Sequence, residues 1–141
     1  MTLFRQLFEP VSSTYTYLLG CEATGQAVLI DPVLPAWQDN LSAIASLGLK
    51  LSMTVDTHIH ADHITAAARL RRETGCRLAH PAFDRLDCAD VAVEEGTPLV
   101  LGSLVIEPLF TPGHTDGHHA YRCGDRLFTG DALLIDGCGR T

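Results

Sequence analysis

Between positions 56 and 63 the sequence reads Asp56-Thr57-His58-Ile59-His60-Ala61-Asp62-His63, which puts three histidines and an aspartate within six residues. On an extended segment, side chains two apart project to one side, so His58 and His60 share a face and Asp62 and His63 follow as the chain turns. Neutral imidazoles and carboxylates suit zinc, iron and related ions. Burying four such groups at one turn without an ion would carry a heavy desolvation cost. A second group, Thr111-Pro112-Gly113-His114-Thr115-Asp116-Gly117-His118-His119, contains a Pro-Gly turn able to present His114 from a rigid loop. Beside the first motif, His114 reads as a further ligand, and His118 and His119 read as hydrogen-bonding or surface residues. A third element, Phe128-Thr129-Gly130-Asp131, ends a strand on a carboxylate and supplies the anionic ligand that the imidazoles lack. Thr57 and Thr115, next to proposed ligands, are hydrogen-bond partners of the metal shell or turn formers.

Positioning these groups takes a strand before the first motif and a helix after it. Met53-Thr54-Val55 reads as a short buried strand, and residues 61–74 as a helix that Gly75 terminates. Upstream, Thr14–Leu19 and Ala27–Ile30 are β-rich runs separated by Gly20 and Gly25, a hairpin that Asp31-Pro32 closes. Trp37, Leu41, Ile44, Ala45 and Leu47 keep close to helical spacing, with Gly48 as a stop. Arg77-Leu78-Ala79 reads as a strand, and 82–98 as an irregular acidic connection. The remainder is β-rich: Leu99–Leu101, Leu104–Ile106 and Leu109-Phe110, then a hairpin about Gly124-Asp125. This order describes a mixed, layered α/β protein.

With 141 residues, 46% of them apolar, and a formal charge of −7, the chain is one domain's worth of sequence. A chain of this size can bury roughly two thirds of its unfolded surface, so it does not need disulfide staples. Charged residues make up 19%, with no strongly one-signed stretch, which argues against a nucleic-acid or anionic-membrane surface and for a small partner. No run approaches the roughly 18 apolar residues that span a bilayer, and Met1–Pro10 lacks a secretory signal, so a reducing cytoplasm is the expected location. Five widely spaced cysteines, none in a Cys-x-x-Cys pair, read mostly as small core residues rather than as a disulfide framework or zinc ribbon.

Taken together, the His-x-His-x-Asp-His string, the histidine after Pro112-Gly113 and the later Gly130-Asp131 resemble the metallo-β-lactamase superfamily. The resemblance implies an αββα sandwich with metal at the sheet edge. In that superfamily, residues matching His58, His60 and His114 form one site, those matching Asp62 and His63 a second, and the one matching Asp131 can bridge. The usual hydrolases add a later histidine, for which no match follows before Thr141. The tail from Thr129 to Thr141, with its Gly137-Cys138-Gly139-Arg140-Thr141 string, is similar to the persulfide dioxygenase branch.

That branch implies one Fe(II) held by His58, His114 and Asp131, with His60, Asp62 and His63 nearby as non-ligating groups. Two histidines and a carboxylate leave positions open for a sulfur substrate and O2. The implied reaction oxidises glutathione persulfide to glutathione and sulfite. Cys138 is expected near the pocket, not as a nucleophile, and Arg140 as a positioning or carboxylate-pairing residue. Two alternatives stand beside this reading. One is a glyoxalase-II-like hydroxyacylglutathione hydrolase with one or two zinc ions or a mixed iron–zinc pair, and the other is a non-catalytic metal-binding fragment. Against the family pattern, residues 1–141 correspond to the first half of the sandwich, C-terminally truncated. The inner sheet face is then expected to be open, and covered by self-association, another chain or the missing half.

Overall fold

The computed structural model describes residues 2–10, 14–58, 61–85, 88–112, 117–129, 133–134 and 137–138, with backbone alone at 2, 14, 61–65, 133–134 and 137–138. Three antiparallel strands open the chain: β1 (Thr2–Glu9), β2 (Thr14–Cys21) and β3 (Gln26–Ile30). Gly25, at φ 71°, makes the left-handed turn of the expected β2–β3 hairpin. β1 is not evident from the sequence pattern. Its apolar residues come as Leu3-Phe4 and Leu7-Phe8, which matches neither helical nor strand alternation, because its two faces meet different cores: Phe4 packs on the one between the sheets and Leu7 on the one under the helices.

The chain then crosses over a 3-10 turn (Leu34–Ala36) and helix α1 (Trp37–Ser46) to β4 (Lys50–Val55), and over α2 (Ala61–Thr74) to β5 (Arg77–Pro81) and β6 (Val91–Val93). The first sheet has the order β1-β2-β3-β4-β5-β6, and β3 to β6 run parallel, so helical crossovers are obligatory. α1 stops at Ser46 because Gly48, at φ 72°, closes its last turn onto the Ala45 carbonyl. Ile44 and Leu70 meet Leu18, Ala27, Leu29 and Leu51, with Trp37, Leu41 and Leu47 packed against them; this is the core between helices and sheet. Within 82–98, a 3-10 turn (Ala82–Asp84) and β6 replace the expected irregular connection. Asp90 anchors that segment: its carboxylate accepts the Leu78 N–H at 2.8 Å and an Arg71 N–H at 3.2 Å.

The second sheet comprises β7 (Leu99–Leu101), β8 (Leu104–Phe110), β9 (His119–Cys123) and β10 (Arg126–Phe128), antiparallel in the order β10-β9-β8-β7. β8 is one strand where two runs were expected. It passes through Pro108 because β7 pairs only with 104–106, so beyond Ile106 one side of β8 has no ladder to interrupt. Between the sheets lies a second core, in which Leu19, Val28, Ile30, Met53 and Val55 face Leu101, Leu104, Ile106, Tyr121 and Phe128. Burying each such side chain contributes about 1.5–3 kcal/mol. A short backbone hairpin, β11 (Leu133–Leu134) with β12 (Gly137–Cys138), follows.

The described layers are therefore helices, sheet and sheet, three of the four in an αββα sandwich. The expectation of an open inner face is corrected: the chain's own second sheet covers the first. Exposed apolar residues lie instead on the far side of that second sheet, at Val100, Val105 and Leu127. They alternate with residues that point into the core.

Candidate metal centre

Ile30, Val55 and Ala79 are paired across three parallel strands. The next residue on each strand is Asp31, Asp56 and His80, so the register alone brings three titratable side chains to one sheet edge. Thr57 and His58 follow Asp56 there.

Asp31 adopts φ 55°, a left-handed conformation that aspartate tolerates better than most residues. Its N–H donates to the Val55 carbonyl at 2.9 Å, and its own carbonyl accepts the Thr16 hydroxyl at 2.8 Å. Thus held, its carboxylate accepts both donors of Thr57, the backbone N–H at 2.8 Å and the hydroxyl at 2.9 Å. The Thr57 oxygen, having donated its proton to Asp31, accepts from His58 Nδ1 at 2.8 Å. This relay places a hydrogen on Nδ1, the arrangement that ligation through Nε2 requires. His58 is only 2% exposed, and the His118 ring stacks on it with centroids 5.0 Å apart and planes inclined by 25°.

His118 and His119 are both buried and hydrogen-bonded. His118 Nδ1 lies 2.8 Å from the Thr111 hydroxyl, and His119 Nδ1 donates to the Gly117 carbonyl at 2.8 Å. The His119 backbone N–H donates to the Thr57 carbonyl at 2.7 Å, tying the second motif's loop to the first.

Beside this relay lies a second chain of side chains. His80 places Nδ1 3.0 Å from Asp56 Oδ2 and Nε2 2.8 Å from Asp84 Oδ2. Burial pulls the His80 imidazole down, but the hydrogen bonds and charges of Asp56 and Asp84 outweigh it, and its pKa is raised. A carboxyl oxygen at each ring nitrogen ties the imidazole at both ends. Burial pushes the Asp56 carboxyl up, against the lowering pull of His80. The Tyr121 hydroxyl donates to the Asp56 carbonyl at 2.5 Å, and burial raises its pKa well above the usual range.

Of the residues expected as ligands or catalytic groups, His58 is the one whose side chain the structure describes, beside Thr57, His118 and His119. His60, His114, Asp131 and Arg140 lie outside the described residues. Asp62 and His63 fall in the first turn of α2 and Cys138 in β12, with side chains outside the description. Among the described residues alone, no three His, Cys, Asp or Glu side chains converge as a cage. The chemistry at His58 nevertheless fits a metal: a buried imidazole oriented through a hydroxyl by a carboxylate. Sequence spacing missed Asp31, read as a hairpin closure, and also His80 and Asp84. Their partners are 26, 24 and 4 residues away, and parallel strand register rather than local periodicity joins the first two pairs.

The family model for the metallo-β-lactamase superfamily matches residues 10–141. The human mitochondrial persulfide dioxygenase ETHE1 is 46% identical over 99% of this chain and 56% of its own length. Hydroxyacylglutathione hydrolase of Rhodospirillum rubrum is 39% identical, over 92% of this chain and 52% of its own. The solved structure of ETHE1 from Myxococcus xanthus superposes with a TM-score of 0.93 at 52% identity, covering 99% of this chain and 61% of that one. The chain spans about half the length of the curated relatives it matches. From a strand-end histidine set by a carboxylate relay, a layered sheet pair and a family match over nearly all its residues, this chain belongs to the metallo-β-lactamase superfamily.

Proposed function

We propose that residues 1–141 are the metal-bearing first half of an Fe(II)-dependent persulfide dioxygenase, which converts glutathione persulfide, O2 and water to glutathione and sulfite. The metal part of this reading is carried by the Asp31–Thr57–His58 relay, which holds the buried His58 imidazole in a fixed orientation at the sheet edge. Support for the branch comes from 46% and 52% identity to proteins of that name, against 39% to the hydrolase of Rhodospirillum rubrum.

His58, His114 and Asp131 would hold the iron, which when bound supplies the redox capacity to bring O2 and sulfur together. Asp31 and Thr57 orient His58, and His118 packs against its ring. His60, Asp62 and His63 set the local charge. Cys138 borders the pocket, and Arg140 pairs with a substrate carboxylate. A cytoplasmic, reducing location belongs to the same proposal and accords with the free thiols of Cys21, Cys76, Cys88 and Cys123. The far face of the second sheet is where a further segment or a second copy would pack.

A hydroxyacylglutathione hydrolase with a binuclear site that also engages Asp62 and His63 is the second reading, and the hydrolase relatives favour it. The test is anaerobic reconstitution with Fe(II), followed by parallel assays on glutathione persulfide and S-lactoylglutathione. O2 uptake with sulfite formation is expected. Thioester hydrolysis without O2 uptake would overturn the dioxygenase in favour of the hydrolase. A chain that binds metal and does neither is a non-catalytic metal-binding fragment.

A further inference from the structure

His80 has no place in the ligand set, yet it is wholly buried between two carboxylates that come from different segments. At one end, Asp56 is the residue that turns β4 into the Thr57-His58 segment. Its N–H donates to the Ala79 carbonyl at 3.2 Å, and its carbonyl accepts the Tyr121 hydroxyl, so both its backbone and its side chain are tied. At the other end, Asp84 sits against the loop of the second motif. A Cβ added at Gly117 would come within 2.7 Å of Asp84 Oδ1 and 2.9 Å of Phe83, so the backbone there rests directly on this turn. Gly117 leads into His118, which stacks on His58, and its carbonyl holds His119.

The chain Asp84–His80–Asp56 therefore runs from the loop of the second motif to the strand end of the first. An imidazole fixes the separation of its two carboxylates through a rigid ring. Asp56 Oδ1 is also buried with no hydrogen-bond partner among the described residues, so its carboxyl is held through Oδ2 by His80 alone.

We propose that Asp56–His80–Asp84 is a positioning strut for the metal centre, with His80 and Asp84 acting through Asp56 and Gly117 to hold the two ligand-bearing segments at a fixed separation. The inference rests on the metal-centre reading, and one experiment separates the two. The metal-free 141-residue chain and its His80→Gln and Asp84→Asn variants are titrated with Co(II), followed by the visible ligand-field bands, with thermal melts on the same samples. Both variants are expected to melt cooperatively, to bind Co(II) about 10- to 100-fold more weakly than the wild type, and to show shifted bands.

Folded variants that bind Co(II) as the wild type does, with unchanged bands, would overturn the strut. If His80→Gln fails to fold, Asp84→Asn, altered at the edge of the network, decides alone. Loss of the fold in both assigns the triad to stability and overturns the positioning role. A wild-type chain that binds no Co(II) overturns the metal-centre reading and the strut with it.

Discussion

Thr57 carries one hydroxyl, and that oxygen links the Asp31 carboxylate to the His58 ring. Thr57→Val keeps the shape and removes the relay, so metal affinity should fall about 10- to 100-fold, whereas Thr57→Ser should retain it; Co(II) titration of the two variants decides. His80 gives a pH signature. Its folded pKa lies above its unfolded value, so its contribution to stability is complete below about pH 6.5 and is lost as pH rises through the folded value. Urea unfolding should show the stability gap between wild type and His80→Gln narrowing above that pH, and a constant gap would contradict the assignment. At this scale the sequence displayed His58, because ligand spacing is local. It concealed Asp31, His80 and Asp84, because their partners are set by which residues end neighbouring parallel strands.

Elements were legible where a periodic pattern ended on glycine. α2 occupies the expected 61–74, and the β2–β3 and β9–β10 hairpins turn where the glycines fall. β1, β6 and the continuous β8 were less so: an edge strand, a three-residue strand and a strand through Pro108 each rely on a neighbour for definition. Gly117 shows how closely the elements are fitted. Gly117→Ala should cost about 1–3 kcal/mol, since the methyl group would come within 2.7 Å of the hydrogen-bonded Asp84 carboxylate and 3.1 Å of Phe83 Cβ; a urea midpoint equal to wild type would contradict this. Asp90 should appear on the acid limb. The Leu78 N–H and Arg71 hold its carboxyl below the usual value, so its stabilisation is present above about pH 3.9 and lost as pH falls through its folded value. Asp90→Asn should flatten that limb of the stability profile.

Across the whole molecule, helices, sheet and sheet bury two cores, while the far face of the second sheet presents Val100, Val105 and Leu127 at 58%, 45% and 54% exposure. A Glu107–Arg122 pair at 2.7 Å is the polar feature beside them. Sedimentation velocity should show concentration-dependent association that Val105→Lys with Leu127→Lys reduces; a strictly monomeric wild type would contradict that. The layered class was legible from the order of strands and helices. Which face stays open was not, because that depends on how the second sheet folds back over the first. The central claim is that a single iron is bound through His58, and an anaerobic Fe(II) titration of wild type and His58→Ala tests it most directly. One iron per chain, lost in the variant, is predicted. Two metal ions per chain, or an affinity indifferent to His58→Ala, would contradict it.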